Sequence, residues 1–265
     1  MRYGPGPLQR GFGLIELLVA LTLGLVLVLG VVQVFVASKQ TFVMQRTAAG
    51  LSEDARYVTS RLSRELRMVG MFGCVDLDRL PAGIRNSIPP VFNSPISYSS
   101  SAGNSILKLV TAVPNHESVA IAQMRTPGDY GANWLIATNC KDTGDLRLSD
   151  GGPLVVRPGD IVIPLRQMEY RFSNNAIQVR SNGAGNFQTL VDNIADLNVS
   201  FGLAATAADT RISGGYVVAA PGIDARRIRS VNLQWQLSDN PAAPASGSVQ
   251  AREVKQVVAL RNAID

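Results

Sequence analysis

The stretch RGFGLIELLVALTLGLVLVLGVVQVFVA, residues 10–37, decides how this chain is read. From Phe12 to Ala37 its only charge is Glu16, and at ~1.5 Å per residue a helix over it can cross a hydrocarbon core of ~30 Å. An ordinary secretory signal has a shorter apolar region followed by small residues at a cleavage site. None follows here before Ser38 and Lys39, so cleavage after the span is disfavoured. Arg2 and Arg10 ahead of the span suit a cytoplasmic N-terminus, although Lys39, Arg46 and Arg56 beyond it blunt that argument. Glu16 needs a partner or a place near the headgroups, because a carboxylate inside a membrane costs roughly 2.5–3.5 kcal/mol.

Around this stretch the chain is 265 residues long, enough for one long element and a globular domain with a real core. Its net charge of +5 permits anionic partners without choosing one, and no basic run is interleaved with aromatics. The local groups Arg61, Arg64 and Arg67, and Arg226, Arg227 and Arg229, read as solvated faces. Two cysteines, Cys74 and Cys140, are too far apart for a zinc site or a CxxC motif, so no metal is expected. If the segment beyond the span is exported they would most simply pair as one disulfide; otherwise they are two core thiols.

Past the span, Leu51, Ala55, Val58, Leu62, Leu66 and Val69 recur at steps of three and four, which predicts a continuing helix with one apolar stripe. Arg61 and Glu65 sit at the spacing of a modest surface pair, and Gly70 and Gly73 should stop the helix. One helix over 12–69 would then be ~85 Å long, half in the membrane and half against a head. From Gly73 on, short β-rich runs separated by Gly, Pro, Asn and Ser predict a largely antiparallel sheet domain. The expected strands are 106–113, 119–124, 134–138, 160–164, 169–172, 176–180, 197–201, 228–237 and 254–260. Asn174–Asn175 reads as a hairpin turn and 239–248 as a hairpin loop, while proline-rich 80–105 reads as a loop lying over the surface.

RGFGLIELLVAL resembles the class III prepilin signal of type IV pilins and type II secretion pseudopilins. The resemblance implies an 11-residue leader, a cut by prepilin peptidase between Gly11 and Phe12, and N-methylation of Phe12. It implies also that Glu16 pairs with the new amine, in its own subunit or a neighbour, as an assembly signal. SKQTF at 38–42, RLSRELRMVGMFGC at 61–74, ATNC at 137–140, LVDNIADLNVSFG at 190–202 and VALRN at 258–262 resemble the PilW-type minor pilins, whose head plan the J-type pseudopilins share. From it follow an α+β, type IV pilin-like fold and three parts: leader 1–11, helix 12–69 with its transmembrane half at about 12–37, and periplasmic head 70–265. Cys74 and Cys140 fall where that branch carries its cysteines. The implied partners are other minor pilins, the major pilin, a PilY-type adhesin, prepilin peptidase and inner-membrane lipid. The implied setting is the inner membrane and then the pilus, in adhesion and twitching motility.

Catalytic chemistry is not evident, and no cofactor is expected. His116 stands in a Pro-Asn-His-Glu loop without a nucleophile motif, and Gly183 and Gly185 read as a turn rather than a phosphate cradle. Asp142, Asp145 and Asp150 lack the EF-hand spacing and its terminal Glu, so 142–151 reads as a solvated loop. Nucleic acid is disfavoured, since Arg226, Arg227 and Arg229 divide between a turn and a strand flank. A minor pilin is therefore expected, with a J-type pseudopilin as the competing reading and a signal-anchored periplasmic enzyme or binding protein behind both.

Overall fold

A computed structural model describes residues 13–101, 104–115, 119–218 and 223–261. The chain divides into two compact units, residues 1–49 and 50–265. A single helix, α1 (Leu14–Arg67), supplies the described body of the first and the opening element of the second.

In the first unit α1 exposes almost every apolar side chain, with Leu14 at 78% and Leu27 at 71%. The helix is long and apolar enough there to cross a membrane. No described residue buries this face, and lipid is the solvent that would make its exposure favourable.

The second unit is built around a helix stripe and two sheets. Leu51, Ala55, Val58, Leu62 and Leu66 of α1 are buried, as their spacing predicts. The helix ends at Arg67, two residues early, and Gly70 and Gly73 follow with φ of +67° and +66°. A Cβ on Gly73 would lie 2.6 Å from Ile163 Cδ1, so glycine is needed there for the backbone and for space.

Thirteen strands follow among the described residues: β1 (Ile96–Ser101), β2 (Asn104–Ala112), β3 (Gln123–Arg125), β4 (Trp134–Thr138), β5 (Arg147–Asp150), β6 (Leu154–Val156), β7 (Ile161–Ser173), β8 (Ala176–Ser181), β9 (Gln188–Val191), β10 (Ile194–Ala204), β11 (Ile212–Val218), β12 (Ile228–Leu237) and β13 (Arg252–Ala259). The first sheet runs β1-β2-β7-β4-β5, with β8 and β9 added beside the second half of β7. The second runs β11-β10-β12-β13, and β3 pairs with β6. Every pairing is antiparallel, giving the expected α+β plan of an apolar helix followed by a largely antiparallel domain.

β4 and β12 occupy their predicted residues, and Asn174 and Asn175 take φ of +52° and +55° in the β7–β8 turn. The loop over 239–248 joins β12 to β13. Elsewhere the structure differs. The runs 160–164 and 169–172 are one strand, β7, because Pro164 lies beyond the end of β2. There its carbonyl accepts from Val113 N–H at 2.8 Å, and its missing N–H breaks no ladder. Only the end of 119–124 is strand, although Val119 is buried. Segment 80–105 is not a surface strap: Leu80 and Phe92 are buried, and Phe92 packs 5.1 Å from Phe72 and edge-on 5.2 Å from Trp134. Within it Ile96–Ser101 form β1, a serine-rich edge strand that buries Ile96.

The main core joins the α1 stripe to Leu107, Leu109 and Met168 of the first sheet and Val231, Leu233 and Trp235 of the second. From Val231 to Leu237 the inward residues of β12 alternate, as a strand with one covered face requires. A second core around Phe72, Phe92, Trp134 and Leu165 lies past the helix end.

Candidate functional site

Two of the residues singled out by the sequence, Gly11 and Phe12, lie outside the described residues, as does His116. Glu16 is described, and it bends back along the first turn of α1. Its Oε2 accepts from Gly13 N–H at 3.2 Å while Glu16 N–H donates to Gly13 carbonyl at 3.0 Å. This is the reciprocal half of a capping box, with a carboxylate three residues into the helix satisfying a backbone donor that the helix leaves open. An anion there also complements the helix dipole. Glu16 thus has a local reason to point toward the start of the helix, next in sequence to Phe12. As the sole acid in the apolar run, it stands exposed there beside the backbone donor that it caps.

Cys74 and Cys140 are joined by a disulfide, with Cα atoms 5.8 Å apart and a sequence separation of 66. It ties the turn that follows α1 to the residue just beyond β4. Both cysteines are exposed, and Cys140 is held at φ +57°.

The most connected polar site in the head was not legible as such. Glu65 was expected in a surface pair with Arg61. It is instead 7% exposed and faces the first sheet, where Oε1 accepts from Arg166 Nη2 at 2.9 Å and Oε2 from Thr111 Oγ1 at 3.3 Å. Arg61 donates to the Tyr170 hydroxyl at 3.4 Å and to Tyr57 at 3.3 Å. Burial, and then the charge of Glu65, push the Tyr170 phenol up to about 12 against the opposing pull of Arg61. The pairing failed as a sequence reading because Glu65 adjoins Leu66 on the buried stripe, so its reach is across to β2 and β7 rather than along the helix. On the first sheet Glu169 is also buried. Burial pushes its carboxyl up, but bonds from Arg180 and the charge of Lys108, 3.3 Å away, outweigh this and hold it below the usual range.

The Arg226, Arg227 and Arg229 group is not one solvated face. Arg229 is 4% exposed and donates to the carbonyls of Asp209 and Ala207, each at 2.7 Å, and of Arg226 at 2.6 Å. It acts as a bracket for the loop after β10. The aspartates of 142–151 have local employment as well. Asp142 caps the turn over Thr143–Asp145, accepting from Gly144 N–H at 2.8 Å, and Asp145 lies 3.5–3.6 Å from Arg157 and Arg147. Among the described residues no three His, Cys, Asp or Glu side chains gather as a metal site. A cleft of about 460 Å³ beside Cys74 carries Asp76, Asp78 and Arg226, and its described lining has no serine or histidine.

Over its length the chain matches no curated protein sequence. Residues 7–32 match the prokaryotic N-terminal methylation motif, the prepilin-type signal of type IV pilins and pseudopilins. Together with the apolar helix, that motif supports a membrane-anchored pilin or pseudopilin, processed by prepilin peptidase and assembling with other pilins: a structural protein rather than an enzyme.

Proposed function

We propose that this chain is a minor pilin of the PilW type, held in the inner membrane with its head in the periplasm and drawn into a type IV pilus at its tip or in a priming complex. Prepilin peptidase cuts between Gly11 and Phe12 and methylates the new amine of Phe12. The observation that carries the reading is Glu16, the lone carboxylate of the apolar run that opens α1, at its capping position and within the methylation motif. A cationic amine at Phe12 gives that carboxylate a low-dielectric partner, its own or a neighbouring subunit's. An apolar helix stable in lipid is comparably stable among like helices, so transfer into a filament costs little once that charge is paired. The partners are the major pilin, other minor pilins and a PilY-type adhesin.

Mass spectrometry of the chain purified from its own membranes tests the processing: a mature chain starting with N-methyl-Phe12 is expected, and an intact leader overturns the proposal. Glu16→Ala should leave membrane insertion intact and reduce incorporation into filaments, and normal incorporation would sink the charge-pairing step. Loss of pili in a deletion strain, restored by this gene, supports the pilus role. Loss of protein secretion with pili intact would assign it to the J-type pseudopilins instead.

A further inference from the structure

Between α1 and β13, within the head, runs a groove of about 540 Å³ whose walls carry four arginines. Arg56, Arg64 and Arg67 fall eight and then three residues apart with Ser60 and Ser63 between them, so they share one stripe of the helix over ~16 Å. Arg261 closes the far end. All four side chains are exposed, and none makes an ion pair among the described residues. The other wall is the last strand of a sheet. Among the described residues β13 has β12 on one side and no strand on the other. Leu260 N–H donates to Arg229 carbonyl at 2.9 Å, so by alternation the backbone groups of Glu253, Lys255, Val257 and Ala259 point outward, away from β12.

The open edge is guarded over only half its length. Glu253 and Lys255 pair at 2.9 Å, the charged covering that protects an edge strand, but Val257 stands 57% exposed and Ala259 carries no charge. Gln256, on the helix-facing side, donates to Ser63 Oγ at 2.6 Å and leaves its Oε1 buried without a partner. The groove therefore offers guanidinium groups for anions and, beside them, an unpaired backbone edge.

We propose that this groove docks an extended acidic segment of another protein, which adds as a strand to β13 and sets its carboxylates against Arg56, Arg64, Arg67 and Arg261. A peptide supplies backbone N–H groups for the outward β13 carbonyls as well as carboxylates for the arginines. A phosphodiester chain would engage the arginines but has no backbone donors for the edge, and no described lining residue is aromatic, so nothing stacks a base. The inference concerns the head alone and stands whether or not the leader is removed.

The test uses the full chain in phosphatidylcholine nanodiscs and a short fluorescent peptide of alternating Glu and Thr. The peptide should bind, weaken about tenfold or more in the R64E/R67E variant, and weaken comparably when its alternate backbone nitrogens are methylated. Both arginines are exposed, so the variant should unfold at the wild-type urea midpoint, which separates lost docking from lost folding. Absence of peptide binding, or binding indifferent to R64E/R67E, overturns the proposal. Indifference to N-methylation overturns the strand addition. A short DNA duplex binding as tightly as the peptide would make the groove a nucleic-acid surface instead.

Discussion

Removing the Cys74–Cys140 disulfide should cost the head about 4 kcal/mol. The bond closes a loop of 66 residues, and the loss of loop entropy from the unfolded chain, about 2.1 + 1.5R ln n cal/mol/K, comes to ~4.3 kcal/mol at room temperature. Against a stability of ~5–15 kcal/mol for a domain of ordinary size, that is a large share of the margin. Cys140 adds a local contribution. Its φ of +57° is a conformation that L residues other than Asn and Asp seldom adopt, so the bridge holds a strained backbone as well as a long loop. The two parts separate by mutation: Cys74→Ala/Cys140→Gly should be more stable than Cys74→Ala/Cys140→Ala by about 1 kcal/mol. Urea unfolding of the full chain in detergent, followed by tryptophan fluorescence, reads the head alone, because both tryptophans, Trp134 and Trp235, are buried there. Dithiothreitol should reproduce the loss in the wild type, since both cysteines are exposed. A loss below ~1 kcal/mol in the Ala/Ala variant, or a midpoint unmoved by reductant, would refute the loop-entropy account.

Arg166→Ala, which leaves buried Glu65 without its cation, should cost about 3 kcal/mol or more, while Glu65→Leu/Arg166→Leu should be near neutral; a double-mutant cycle in urea measures the coupling, and additive costs would deny it. Gly73→Ala should lower stability by more than ~1 kcal/mol, since it meets both a positive φ and Ile163; an unchanged midpoint counts against that account. Tyr170, pushed up to about 12 when folded, has an unfolded value near ~10, so the folded state keeps its proton over that interval. Stability should therefore be whole below pH ~10 and fall as pH rises toward ~12, by up to about 2–3 kcal/mol, with a shallower fall in Tyr170→Phe. Equal slopes for the two proteins between those values would contradict it.

Much of this fold was legible because its signals are periodic. A membrane-length apolar run, the 51-55-58-62-66 stripe, and the β-branched and aromatic residues of 134–138 and 228–237 each announce a face, and each face is where the structure puts it. What escaped had its physical reason in partners far off in sequence. Strand β1 hides in serines because an edge strand with one covered side needs little apolar content. β7 runs through Pro164 and the polar pair Arg166–Gln167 because those side chains are engaged by Glu65 and Glu169, from α1 and from β7 itself. The site was legible in the same uneven way. Glu16 stood out as the only charge in an apolar run, whereas the groove of Arg56, Arg64, Arg67 and Arg261 unites residues up to 205 positions apart, and no local pattern foretells it.

Glu65 also explains why the apolar stripe of α1 does not suffice. Leu51, Val58, Leu62 and Leu66 are similar in size and shape, so packing alone discriminates weakly against a helix displaced by one turn, ~5.4 Å. A buried carboxylate is far less forgiving. Moved by a turn, Glu65 would leave both Arg166 and Thr111, its cation and its hydroxyl donor. The ion pair need not add stability to act in this way; a leucine pair would serve that end as well or better, and Arg166 Nε is itself buried without a partner. Its contribution is register, reinforced at either end by Arg252 on Ser52 at 2.7 Å and Gln256 on Ser63 at 2.6 Å. With register fixed, Arg56, Arg64 and Arg67 stand beside the open edge of β13 rather than a turn away, and the surface that could select a partner depends on a buried charge that never touches it.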